Sequence, residues 1–121
     1  MDKRVKAKYI KNGYLLIINI NQFLYNDERI GSEHDVFNMK ELFKNKFGFE
    51  VRVERDTTFL KFPNIINKFI GEANRAKCDL IIIAIMSHGG LGDYFYASNV
   101  PKKIYLNDLR NMWVNILGWK G

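Results

Sequence analysis

The apolar run from Leu80 to Met86 ends abruptly in Ser87, His88, Gly89 and Gly90. An imidazole exchanges its proton near neutral pH, so a histidine at a strand tip suits general acid–base work. A glycine next to it lets a backbone N–H face a substrate oxygen, which is what stabilising an oxyanion requires. Arg29, in the loop after an earlier apolar run, offers a planar fork that pairs with a carboxylate. Each residue also has a plain structural reading. Strand-tip histidines bond to nearby backbone, paired glycines make tight turns, and most surface arginines are solvated.

Other candidates are weaker. His34 falls in the first turn of an expected helix, where a structural or exposed role is the natural one. Cys78 precedes the strand that carries His88 at its far end. Extended chain rises ~3.3 Å per residue, which puts the two more than about 20 Å apart. Cys78 is therefore not expected to serve His88 as a nucleophile. There is no Gly-rich phosphate loop, no paired metal-ligand spacing and no CxxC, so neither a metal nor a cofactor is expected.

Three strands and two helices are expected to position these residues. Residues 14–19, YLLIIN, form a short continuous apolar run, the pattern of a strand covered on both faces. Ser32 followed by Asp35 resembles a capping box, and Gly48 sits where a helix would stop. Between them Val36, Met39, Phe43 and Phe47 recur at helical spacing, predicting a helix over 34–47. Residues 49–54, FEVRVE, alternate apolar with charged, as a half-exposed edge strand does. Pro63 suits a first helical turn, with Phe62, Ile65, Ile66, Phe69, Ile70 and Ala73 as its apolar stripe. The strand 79–86 follows, then a hairpin turning at 98–101 and a last helix capped by Asn107.

Strand, helix, strand, helix, strand calls for a parallel sheet with right-handed crossovers. The half-polar strand belongs outermost, giving the order second–first–third. Ligands bind beyond the carboxyl ends of the strands where such an order reverses. Arg29 and His88 are expected to share that crevice.

The chain has 121 residues, 47% of them hydrophobic, enough for one domain spanning 1–121 and no more. The net charge of +6 permits nucleic-acid binding, but the lysines are scattered rather than interleaved with aromatics, so a basic α/β nucleic-acid-binding module is the weaker alternative. Lys3, Arg4, Lys6, Lys8 and Lys11 gather in residues 1–12 and read as a solvated arm. No apolar run approaches membrane-spanning length. One cysteine and no export signal make a cytoplasmic location the expectation.

Three stretches, GYLLIININQF, ERIGSEHDVFNMKELFKNKFGFEV and DLIIIAIMSHGGLGDYFYASN, occur in the order and spacing of a known family. Together they resemble the large-subunit region of the caspases, cysteine endopeptidases specific for aspartate. The resemblance runs from about Tyr9 to Leu117. It implies a three-layer α/β half-domain with a mainly parallel sheet of order 2-1-3, flanking helices, and a short terminal hairpin and helix. It implies that His88 is the catalytic histidine, that Gly89 lends its N–H to the oxyanion hole, and that Arg29 binds the substrate aspartate. Gly90 departs from the glutamate that often follows Ser-His-Gly in the family.

The family's nucleophile sits in a Gln-Ala-Cys-x-Gly motif about 50 residues after a histidine of this kind. Counting from His88 places it beyond Gly121, and the resemblance thus implies a large-subunit piece, incomplete at its C-terminus and inactive alone. Expected partners are protein substrates with aspartate before the scissile bond, another caspase chain, or the missing small subunit. The alternative is a non-catalytic homologue that modulates an active caspase in apoptotic signalling. In the family the cysteine-bearing strand pairs along the outer side of the strand that leads to the histidine, so that edge is expected to be open here.

Overall fold

The computed structural model describes residues 11–23, 29, 31–90, 94–99 and 103–117. Of the basic arm only Lys11 and Asn12 fall inside these spans, and the centre of the expected hairpin turn lies outside them. The elements are β1 (Gly13–Asn19), α1 (Ser32–Lys40), a π-helical turn (Glu41–Lys46), β2 (Glu50–Arg55), α2 (Phe62–Arg75) and β3 (Leu80–Met86). After them come β4 (Gly89–Gly90), β5 (Tyr94–Tyr96), β6 (Lys103–Tyr105) and α3 (Leu106–Leu117). β1 pairs in parallel with β2 on one side and β3 on the other, giving the expected order β2-β1-β3.

β1 is the centre of the molecule because its side chains alternate between two cores. Leu15 and Ile17 point to one face, where Val36 of α1, Phe49, Val51 and Val53 meet them. Leu16 and Ile18 point to the other, against Phe62, Ile66, Phe69 and Ile70 of α2, with Phe95 and Leu109 beyond. All four β1 side chains are at most 1% exposed. Burial at that depth stabilises by about 1.5–3 kcal/mol per side chain relative to exposure.

The charged side of β2 lies out at the sheet edge as expected. Arg52 pairs with the exposed Glu50 at 3.2 Å and reaches the half-buried Glu72 of α2 at 3.6 Å. β3 is just as apolar as β1, yet every one of its residues is only partly buried. Among the described residues no strand lies along its outer side, so the open edge expected there is present.

Three local expectations are corrected. The capping box is absent: Gly31, at φ +85°, precedes the first turn of α1, and no side chain caps it. The Ser32 hydroxyl is spent elsewhere, donating to Asn21 Oδ1 at 3.0 Å and accepting from Asn19 Nδ2 at 3.2 Å. Phe47 is 53% exposed rather than buried. The helix widens into a π-turn, with Phe47 N–H reaching back to Leu42 C=O at 3.2 Å, and the wider turn carries Phe47 off the stripe. Phe49 takes the core position instead, edge-on to Phe43 with ring centroids 5.2 Å apart. Gly48, at φ +71°, makes the reversal between the two phenylalanines. Lastly, α3 starts at Leu106 directly from β6, so Asn107 lies within its first turn instead of capping it.

Candidate active site

Four segments converge beyond the carboxyl ends of the parallel strands, and hydrogen bonds fasten them together. Ile20 N–H donates to Met86 C=O at 2.8 Å, which carries the β1–β3 pairing one step past the strands. Asp56 N–H donates to Asn19 C=O at 2.9 Å and does the same toward β2. The Asp56 carboxylate in turn accepts the N–H groups of Asn21 and Gln22 at 2.8 and 2.9 Å. Those two charge-assisted bonds offset the strain of the left-handed backbone at Asp56, φ +50°. Ser98 then ties the hairpin in, its hydroxyl donating to Gln22 C=O at 2.7 Å and its N–H to Thr57 C=O at 3.1 Å.

His88 follows β3 into this meshwork. Its C=O accepts from Tyr96 N–H at 3.0 Å, and the Ser87 hydroxyl donates to Tyr96 C=O at 2.6 Å. The imidazole packs on the Phe23 ring, centroids 4.6 Å apart, which fixes the ring plane while leaving the side chain half-buried.

Gly89 and Gly90 are more than a turn, because they form β4 and pair antiparallel with β5, Gly89 opposite Phe95. Bonded and non-bonded pairs alternate along such a ladder. Since Tyr96 N–H bonds to His88, the Gly89–Phe95 pair is the non-bonded kind. The Gly89 N–H is therefore directed away from β5 and is not consumed by the hairpin.

Arg29 is held from behind. Its N–H donates to Asn21 C=O at 2.9 Å, while Nη1 donates to both Asn19 Oδ1 and Ile20 C=O at 2.9 Å. Among the described residues these bonds use one terminal nitrogen of the guanidinium. The side chain lines a cavity of about 470 Å³ with Asp35, Asn38, Met39, Phe43 and Met86.

Arg29 and His88 thus stand at the same end of the sheet, behind adjacent strands. That cavity, however, is lined by Met86, and His88 is not among its walls.

Sequence reasoning missed Asn19. Its side chain is 1% exposed yet bonds to Arg29, Ser32 and Glu33, making it the amide that sets the arginine's position. The available signal was an asparagine closing the otherwise apolar run LLIIN. His34, by contrast, is exposed in the first turn of α1, as expected.

Cys78 lies before the amino end of β3, its N–H bonded to Ala73 C=O at 3.1 Å. The whole of β3 separates it from His88. Burial pushes the thiol pKa up, and the neighbouring Asp79 charge adds to the shift, which disfavours a reactive thiolate. Alkylation of Cys78 by iodoacetamide at pH 8 is accordingly expected to run slower in the folded chain than in urea. The gap should close as pH rises past the folded-state pKa; equal rates at pH 8 would contradict the burial of the thiol.

The caspase-domain family model matches residues 12–115. With the parallel sheet and its order, this places the chain in the caspase family of cysteine proteases. It is also similar to a caspase-like protein of Trichoplusia ni ascovirus 2c, with 29% identity over 77 residues, 64% of this chain and 33% of that relative. The match spans about a third of the viral protein's length. Among the described residues no helix is long and apolar enough to cross a membrane.

Proposed function

We propose that this chain is the histidine-bearing half of an aspartate-specific cysteine endopeptidase and receives its nucleophile from residues outside these 121. The carrying observation is the pairing of His88 and Gly89 at the sheet's carboxyl end with the only cysteine, Cys78, at the opposite end. In this reading His88 takes the proton of the incoming thiol, and the thiolate adds to the scissile carbonyl. The Gly89 N–H, turned away from β5, steadies the resulting oxyanion. His88 then protonates the leaving amine, the C–N bond breaks, and water activated by His88 hydrolyses the thioester. Arg29, braced by Asn19, presents its guanidinium to the substrate aspartate. The alternative role is a non-catalytic homologue that modulates an active caspase in apoptotic signalling, and the same experiment separates the two.

Alone, the 121-residue chain is expected to leave aspartate-containing peptides intact. Joined to the remainder of a caspase catalytic domain, the cysteine-bearing strand and the small subunit both included, it should cleave after aspartate. His88→Ala should abolish that cleavage, and Arg29→Ala should mainly raise KM. A joined chain whose cleavage is indifferent to His88 would overturn the assignment, as would turnover by the chain alone that is lost in Cys78→Ala.

A further inference from the structure

The small antiparallel sheet has two faces of different character. Phe95 of β5 and Ile104 of β6 turn toward α2, and Phe95 packs on Phe62. Their neighbours turn the other way. Tyr94 meets Tyr96 edge-on with ring centroids 5.5 Å apart, lies 6.1 Å from Tyr105, and carries Lys103 Nζ 4.5 Å from its ring centroid. Three tyrosines and a lysine thus share one face.

Strand pairing connects that face to His88. Gly89 stands opposite Phe95 and Gly90 opposite Tyr94. One step earlier the Tyr96 N–H reaches the His88 C=O at 3.0 Å. Directly opposed residues lie on the same face of a sheet. Tyr96 in turn opposes Lys103, so His88, Tyr96 and Lys103 form one row across three strands. Gly90, Tyr94 and Tyr105 form the next row on that face. Gly90 brings no side chain, which leaves the corner beside His88 and Tyr94 low. The glutamate that often stands here in the family would place a negative charge on that corner.

The tyrosine face also lies on a definite side of His88. The Arg29 cavity is walled by Asn38, Met39 and Phe43, on the α1 side of the parallel sheet. The hairpin rests on the α2 side, and His88 comes between the two. In the protease reading, on which this inference rests, the substrate aspartate sits at Arg29 and the scissile bond at His88. The chain beyond the bond then leaves His88 on the side away from Arg29, over Tyr96.

We propose that the face of Tyr94, Tyr96, Lys103 and Tyr105 is the subsite for substrate residues after the scissile bond, taking an aromatic residue first and an acidic residue third. The width of the hairpin sets this spacing. Adjacent strands are about 4.8 Å apart, so Lys103 lies ~10 Å from His88, and extended chain at ~3.3 Å per residue covers that in about three residues. The first residue meets Tyr96, whose ring gives an aromatic side chain a stacking partner. The third reaches Lys103, an exposed ammonium steadied by its cation–π contact with Tyr94, and pairs with it through a carboxylate.

Peptides that share an aspartate before the bond and differ after it test this in the joined enzyme. A first residue of Phe is expected to raise kcat/KM about fivefold over Ala, and a third residue of Glu about fivefold over Lys, the sizes that one aromatic contact and one exposed ion pair supply. Tyr96→Ala should erase the first preference and keep the second. Lys103→Glu should invert the second, a change of sign that a merely structural lysine would not give. Cleavage after aspartate with no such preferences, or with preferences indifferent to both variants, would overturn the subsite and leave the protease reading standing.

The chain alone supplies a readout that needs no activity. The tetrapeptide amide Phe-Ala-Glu-Ala, its free amino end standing for the leaving amine, should shift the backbone amide resonances of Gly90, Tyr94, Tyr96 and Lys103. Phe-Ala-Lys-Ala amide should shift them less. Equal shifts from the two peptides, or none from either, would overturn the subsite even where the joined enzyme fails to cleave and the protease reading falls with it.

Discussion

Phe62→Ala is expected to lower the unfolding free energy by about 3–5 kcal/mol, the usual cost of removing a buried aromatic ring from a packed core. Phe62 is 2% exposed and starts α2. Its ring packs on Phe95, centroids 5.2 Å apart, so it joins the helix to the hairpin that holds His88. Domains of this size are stable by only about 5–15 kcal/mol, and the loss is a large share of that. Urea denaturation followed by far-UV circular dichroism measures it. The Phe62–Phe95 pair should also show coupling of about 0.5–1.5 kcal/mol in a double-mutant cycle with Phe95→Ala. A loss under about 1 kcal/mol would mean that the hairpin does not rest on α2.

Asn19→Leu keeps the branched shape and the number of heavy atoms, adds the bulk of two methyl groups, and removes the amide. It is expected to destabilise by about 2–3 kcal/mol, because buried polar partners are left unsatisfied. The Ser32 hydroxyl loses a donor at 3.2 Å and Arg29 Nη1 an acceptor at 2.9 Å. Glu33 loses a third contact but keeps Arg55, so its share should be small. Denaturant titration gives the stability change. In a joined, active enzyme the same variant should raise KM more than it lowers kcat, since Arg29 would be loosened rather than removed. Unchanged stability would show that the asparagine is incidental to the arginine's placement.

The sheet was legible because its signals are long and one-sided. A continuous apolar run, an alternating run and a second continuous run dictate centre, edge and third strand, and Pro63 marks the start of α2 to within a residue. That Arg29 and His88 stand at one end of the sheet was legible from the strand order; the roles proposed for them and for Gly89 came from the spacing of three motifs. The corrections arise where tertiary bonding overrode a local pattern. Ser32 has the sequence of a cap, but a buried asparagine thirteen positions earlier claims its hydroxyl. Phe47 has helical spacing, but the π-turn changes the period beneath it. The pairing of Gly89 and Gly90 with β5 depends on a partner that no window around the glycines contains.

β1 acts as a party wall. It is the strand whose fully buried side chains serve both hydrophobic clusters, and it pairs with both neighbours. The layer under α1 and the layer under α2 therefore have no independent melting route: dissolving either strips one face of β1 and the support of the other. The cooperative unit of unfolding is thus the whole sandwich. One of its two margins is the partly buried β3, the strand that leads to His88. A sheet margin and the candidate catalytic end consequently share one strand, and whatever docks along β3 stiffens both at once.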